Sequence, residues 1–218
     1  MRKLIIFIAC LTLVSTAQKT DQALANDVSN ITESRDGKVY TNQLFGMKIV
    51  KPTTWYSQKI EELIQFQKLG ANLIAGEDKN IQALAQESLK SSLPLFGFYQ
   101  YAPGTPGKSN PNISGVAENI SALPGIRTGC DYLANAKKFA AQSQVTINFE
   151  DNCDTTKING KDLSVMRATF EFGNVKANQK YFACVRDSHA IAVVANYYYP
   201  NEEKLVDNIV NTLEIDCN

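Results

Sequence analysis

Residues 179–215, QKYFACVRDSHAIAVVANYYYPNEEKLVDNIVNTLEI, decide the fold. Over 180–186, Tyr181, Ala183 and Val185 alternate with Phe182, Cys184 and Arg186, the period of two shown by a half-buried strand. Residues 190–199 are too apolar on both faces for an edge, which predicts the central strand of a sheet, reached through a tight turn at Asp187. Pro200 ends that strand, and Asn201 is expected to cap a helix whose first turn holds Glu202 and Glu203, where carboxylates suit the helix dipole. Leu205, Val206, Ile209, Val210 and Leu213 recur at helical spacing and form its buried stripe. The stretch therefore reads as two paired strands with a helix folded back across them.

The same patterns extend upstream. Val39 and Tyr40 begin a short strand, 42–44 turn, and 46–50 form a strand with Met47 and Ile49 on one face, ended by Pro52. Trp55, the only tryptophan, is expected to anchor the exit loop. Residues 57–69 and 78–90 place Ile60, Leu63, Ile64 and Phe66, then Ile81, Leu84 and Leu89, at helical spacing. PLFGFYQY, 94–101, reads as an aromatic strand, APGTPGKSNPN, 102–112, as an exposed loop, and 113–120 as another strand. Thr128, with Asp131 three residues on, opens a helix over 128–141 that buries Tyr132, Leu133, Ala136, Phe139 and Ala140. After a strand over 145–149, Asn159-Gly160 joins 155–158 to 162–172 as a hairpin. The sum is an α+β domain, an antiparallel sheet of about seven strands with helices packed on it, segregated onto one side or its ends.

The chain carries 22 basic and 22 acidic residues and no basic run, so nothing in its charge points to nucleic acid or an anionic membrane. Arg2 and Lys3 precede an apolar run over 4–14 and the small residues Ser15, Thr16 and Ala17, the layout of a signal peptide cleaved after Ala17. The run falls short of the ~20 residues that span a bilayer. Lipid attachment at Cys10 would leave only 4–9 as the apolar region, too short for export. The expected organisation is a signal peptide over 1–17, a flexible polar leader over 18–37, and one domain over 38–218 with a helical insertion at 57–92. Such a protein is extracytoplasmic, periplasmic or secreted, without a transmembrane span.

Export leaves Cys130, Cys153, Cys184 and Cys217, an even set that predicts disulfides. A helix of about fourteen residues at ~1.5 Å each and a return strand of about seven at ~3.3 Å each cover similar distances, which brings Cys153 back beside Cys130. By the same logic the terminal helix and its tail retrace the central strand and bring Cys217 to Cys184. Cys153 and Cys184 would lie about two strands apart, near 10 Å, beyond disulfide reach. The predicted pairs are Cys130–Cys153 and Cys184–Cys217. No C-x-x-C spacing supports zinc.

YTNQLFGMKIVKPTTWY, with Tyr40, Asn42, Gly46, Ile49, Pro52 and Trp55, resembles the Tyr-x-Asn…Gly-x-x-Ile-x-x-Pro…Trp opening of PsbP-like proteins, and 180–215 is similar to their closing strand–turn–strand–helix. NPNISGVAENISALPGIRTGCDYL resembles a segment of small exported bacterial proteins of this family. The family includes the PsbP extrinsic subunit of photosystem II, the Ran-binding protein Mog and many exported bacterial proteins of unknown role. The resemblance covers roughly 38–215 and implies the fold. Its motifs mark packing and turns, and no photosystem-binding or Ran-binding residue is recognisable. Two departures are a longer segment at 57–92 and the four cysteines.

Chemistry-bearing residues are sparse. Asp187-Ser188-His189 contains triad residue types, but neighbours in a tight turn diverge whereas a triad converges from separate segments. Glu150, Asp151 and Asp154 lack the alternating spacing of a calcium loop. Gly104 and Gly107 lack the strand-to-helix setting of a phosphate loop. No catalytic, cofactor-binding or metal-ligating residue is predicted, and no cofactor. The aromatic strands are expected to turn one side outward, giving Phe98, Tyr99, Tyr101, Tyr197 and Tyr199 as a partner surface. The functional expectation is a non-catalytic exported protein that binds a partner protein or small ligand through its sheet face or the 102–112 loop. The alternative is a small extracytoplasmic hydrolase using paired carboxylates, which a concave cavity with converging carboxylates of raised pKa would favour.

Overall fold

The computed structural model describes residues 31–33, 37–143 and 145–217. The expected signal peptide and its cleavage site lie outside them. Three strands, β1 (Ile31–Glu33), β2 (Val39–Asn42) and β3 (Met47–Val50), form a small antiparallel sheet, so the segment expected as a flexible leader supplies β1. The remaining strands are β4 (Tyr56–Ser57), β5 (Ser92–Tyr99), β6 (Asn112–Asn119), β7 (Thr146–Phe149), β8 (Asp154–Ile158), β9 (Lys161–Phe172), β10 (Val175–Arg186) and β11 (His189–Tyr197). They build an antiparallel sheet ordered β4-β5-β6-β11-β10-β9-β7, with β8 also paired to β9. Four helices complete the chain: α1 (Ile60–Ala75), α2 (Lys79–Ser91), α3 (Gly129–Ala140) and α4 (Pro200–Val210).

The arrangement is the α+β class expected, with β11 at the middle of its sheet. Its side chains alternate between two cores. Ile191, Val193 and Ala195 meet Val206, Ile209 and Val210 of α4 together with Tyr40, Met47 and Ile49 of the small sheet. Ala190, Ala192 and Val194 meet Tyr132, Leu133 and Ala136 of α3. Farther along the α3 face, Ala71, Ile74 and Ala85 of the α1–α2 hairpin join Phe139 and Phe170. Helices thus cover both faces, not one side. The reason is in β10 and β11, which are apolar on both faces and demand cover on each. Small residues let α3 approach closely: a Cβ on Gly129 would lie 2.3 Å from the Ala183 carbonyl oxygen.

Local signals held with small shifts. Asn159 and Gly160 both adopt positive φ, 46° and 82°, and close the β8–β9 hairpin. The Thr128 hydroxyl accepts from the Asp131 amide, and the Asp131 carboxylate accepts from the Thr128 amide, the expected capping box. Both predicted disulfides form, with S–S distances of 2.01 Å for Cys130–Cys153 and 2.09 Å for Cys184–Cys217. Trp55 is buried against the core as expected. Three expectations are corrected. Asn201 does not cap α4; Tyr199 takes that place and Pro200 the first helical position, where its fixed φ and missing N–H cost nothing. Leu205 is exposed and lies off the buried stripe. Pro94 sits inside β5, accommodated by a bulge between Pro94 and Phe96.

Two links lock α4 and the tail to the sheets. Buried Lys180 of β10 pairs with Glu203 at 2.7 Å and Asp207 at 2.8 Å. Backbone bonds between Lys48 and Glu214 then tie the tail to β3.

Candidate functional site

The triad-like residues do not converge. Asp187 is an exposed turn residue with φ of 52°, and the His189 ring packs edge-on 5.5 Å from Phe45. Glu150, Asp151 and Asp154 are exposed, and Asp151 pairs with Lys137 at 2.8 Å, a bond that holds its carboxyl below the usual range. Among the described residues no group of three or more His, Cys, Asp or Glu is arranged to hold a metal ion.

The expected aromatic surface divides. Phe98 and Tyr99 are buried, Phe98 stacked 4.7 Å from Phe96 on the small-sheet side and Tyr99 facing Phe66 of α1. Tyr197 is buried under α4 and its hydroxyl is pushed up to about 12, chiefly by burial and then by Glu203. These three are core residues, because both faces of the sheet are covered and neither side of the alternation is left to solvent. Tyr101 is half-buried and Tyr199 is 58 % exposed.

Tyr101 and Tyr199 come together. They flank a groove of about 450 Å³ between the β5–β6 loop and the first turn of α4, lined also by Lys108, Ser109, Asn201 and Leu205. The Lys108 ammonium stands 4.3 Å from the centre of the Tyr101 ring, within cation–π range. Glu202 joins the groove's walls. One of its oxygens accepts from the Ser109 hydroxyl of the loop, and the other accepts from the Tyr198 and Tyr199 amides at 2.8 and 3.1 Å.

The loop is held from beneath by a ladder of buried amides. The Tyr181 hydroxyl donates to Gln179 (2.6 Å), Gln179 to Asn196 (2.7 Å), Asn196 to Asn112 (2.8 Å), and Asn112 to the Asn110 carbonyl (2.9 Å). The Asn110 carboxamide then accepts from the Tyr101 amide and donates to its carbonyl, both at 2.9 Å. Gln179 faces Asn196, and Asn196 faces Asn112, as direct cross-strand partners. A one-residue slip of any strand would break the chain.

A second polar feature lies at the far end of β6. Glu118 is only 1 % exposed, accepts from Tyr132 at 3.1 Å and Ser88 at 3.4 Å, and borders a cleft of about 270 Å³ together with Glu87 and Lys90. Burial raises its pKa to about 8, against the opposing effect of those hydrogen bonds. Glu87 pairs with Lys90 at 3.0 Å.

No protein-family model and no curated protein matches the chain. Among solved structures, the cyanobacterial PsbP protein (CyanoP) of Synechocystis sp. PCC 6803 is similar over 82 % of this chain and 92 % of its own, with a TM-score of 0.50 at 10 % identity. The chain has the PsbP-like fold. A Bacteroides thetaiotaomicron protein is similar over 86 % of this chain and 48 % of its own, at 14 % identity and a TM-score of 0.40. A Pseudomonas aeruginosa protein of unknown function is similar over 56 % and 83 %, also at 14 % and 0.40.

Within this PsbP-like fold the residues of the opening motif are structural. Tyr40, Asn42, Ile49 and Trp55 are buried, and Asn42 accepts from the Phe45 amide to close the β2–β3 turn. Sequence reading missed Glu118 and the amide ladder. A signal existed: Glu118 shares strand parity with Ser114 and Val116 on the α3 face, so an acid there has no solvent. Pairing of Asn112 with Asn196 needed the strand order, which periodicity does not supply.

Proposed function

We propose that this protein is a non-catalytic exported binding protein whose recognition surface is the groove between the β5–β6 loop and α4. The observation that carries the reading is Tyr199, exposed beside Tyr101 at the mouth of a groove whose loop is pinned by buried hydrogen bonds. An exposed aromatic on a rigid frame offers large contact area at low ordering cost, the usual anchor of a binding surface. The partner is a protein or a small ligand. Crosslinking and affinity capture with the protein lacking residues 1–17, from its native envelope or medium, test it. A partner captured by the wild type and lost with Tyr199→Ala supports the reading. No partner, together with turnover of a generic ester or glycoside, overturns it.

The hydrolase reading has one observation in its favour: Glu118, a carboxyl of raised pKa, shares a cleft with Glu87. Against it, both Glu118 oxygens accept hydrogen bonds from Ser88 and Tyr132, and Glu87 is paired with Lys90. Turnover abolished by Glu118→Gln would promote it to first place.

A further inference from the structure

Glu118 ties three elements together at the far end of β6. Ser88 of α2 donates to one of its oxygens at 3.4 Å, and Tyr132 of α3 donates to the other at 3.1 Å. Ser91, on the same helix as Ser88, lies within hydrogen-bond reach of it. Its cross-strand neighbours are Ser92 of β5 and Ala190 of β11, both uncharged. The carboxyl thus joins α2 to α3 across the sheet through hydroxyl groups.

Among the described residues, none of the groups hydrogen-bonded to Glu118 is a cation. Lys90 stands at the rim of the neighbouring cleft, but it pairs with Glu87 and its side chain is 74 % exposed. Asp131 of α3 is exposed and engaged by Thr128. His189, beside Ala190 on β11, packs its ring against Phe45 in the core of the opposite face. Tyr132 keeps its proton, since burial and then the Glu118 charge push its hydroxyl well above the ordinary value. Glu118 is therefore the group that titrates at this junction.

Ionisation places a charge in a buried setting answered only by hydroxyl dipoles, which is costly unless water or a counter-charge arrives. Two features give water a way in. The cleft of about 270 Å³ already borders Glu118 between α2 and residues 119–123. In addition, α2 is thinly attached: of its 13 residues only Ala85 and Ser88 are buried. By contrast α3 buries Tyr132, Leu133, Ala136 and Phe139 among others and is stapled by Cys130–Cys153. Of the two helices that hold the carboxyl, α2 is the one that yields. We propose that Glu118 is a proton-operated latch: protonated, it holds the C-terminal half of α2 closed on β6, and ionised, it releases that segment while the rest of the domain stays folded. Its pKa is raised to about 8 in the closed state, against the ordinary Glu value of ~4.3 once water reaches it. The latch is therefore fully engaged below ~4.3 and weakens by up to about tenfold per pH unit until about pH 8. It lies at the other end of β6 from the proposed recognition groove and does not depend on it.

Hydrogen exchange of the disulfide-intact protein, followed amide by amide from pH 5 to 8 and corrected for intrinsic rates, tests the latch. The amides of 85–91 exchange through a local opening more frequent than the unfolding that exposes β10 and β11. That opening constant rises by up to about tenfold per pH unit. Glu118→Gln, an uncharged side chain of the same shape, removes the rise and keeps 85–91 protected at pH 8. The carboxyl carbon resonance of Glu118 titrates well above the ordinary carboxylate range. These two wild-type measurements decide the matter should the variant fail to fold. Opening of 85–91 that is independent of pH overturns the latch, as Lys90 leaving Glu87 to neutralise Glu118 would give. So does exchange of 85–91 only in step with β10 and β11, an unchanged rise in the folded variant, or titration of Glu118 at its ordinary value.

Discussion

Replacing Asn196 by Leu tests whether the amide ladder holds the groove loop. The side chain keeps nearly the same volume but loses both of its hydrogen bonds, orphaning the Gln179 Nε2 and the Asn112 Oδ1. Both residues are buried, so water cannot replace the lost partner. At ~1–3 kcal/mol for each orphan, the expected loss is about 2–6 kcal/mol, a large share of the ~5–15 kcal/mol that stabilises a typical domain. Asn112→Leu alone also orphans Asn196 Nδ2. The double variant removes both sides of that contact and should cost less than the sum of the singles by about 1 kcal/mol or more. Urea unfolding with disulfides intact measures these values. Hydrogen exchange at the Tyr101 amide, which donates to Asn110, should quicken in step. A single-variant loss below about 1 kcal/mol, additive costs in the cycle, or unchanged Tyr101 exchange in a destabilised variant would refute the reasoning.

Two other outcomes follow from the same physics. Glu118 has its pKa raised to about 8 in the fold, so the folded state holds a proton that the unfolded chain releases near the ordinary Glu value of ~4.3. Its contribution is fully present below that value and is lost as pH rises to about 8, at up to about 1.4 kcal/mol per pH unit. Glu118→Gln should flatten that slope, and parallel pH–stability curves for the two proteins would contradict it. Opening the Cys184–Cys217 bridge with the double Ser variant frees a 33-residue loop and should cost about 3–4 kcal/mol, read from urea midpoints; a cost below about 1 kcal/mol would show that the tail docks without it.

The parts of the fold legible in advance were those governed by local periodicity and path length. Alternation over 180–186 and the doubly apolar 190–199 located β10 and β11, the second of which ends at Tyr197, because a strand apolar on both faces has only the middle of a sheet to occupy. Asn159-Gly160 and Thr128 with Asp131 worked because their chemistry is complete within four residues. The disulfide pairs followed from helix and strand rise per residue, which return the chain to a fixed place. The α4 cap failed by two residues for an equally local reason, the fit of Pro200 to the first helical position.

The candidate site was legible only in fragments. Tyr101 and Tyr199 were named, but so were Phe98, Tyr99 and Tyr197, which α1, α4 and the small sheet cover. Sequence by itself determined β10 and β11, the terminal helix, the β8–β9 hairpin and the bridges, since each rests on a local period or on the path length between two points of the chain. Tertiary structure alone decided which aromatics stay in water, where Glu118 becomes an uncharged acid, and how Asn112 meets Asn196, a partner 84 residues away. Those outcomes depend on which face another element covers and on the register between distant strands, and neither leaves a period in the sequence.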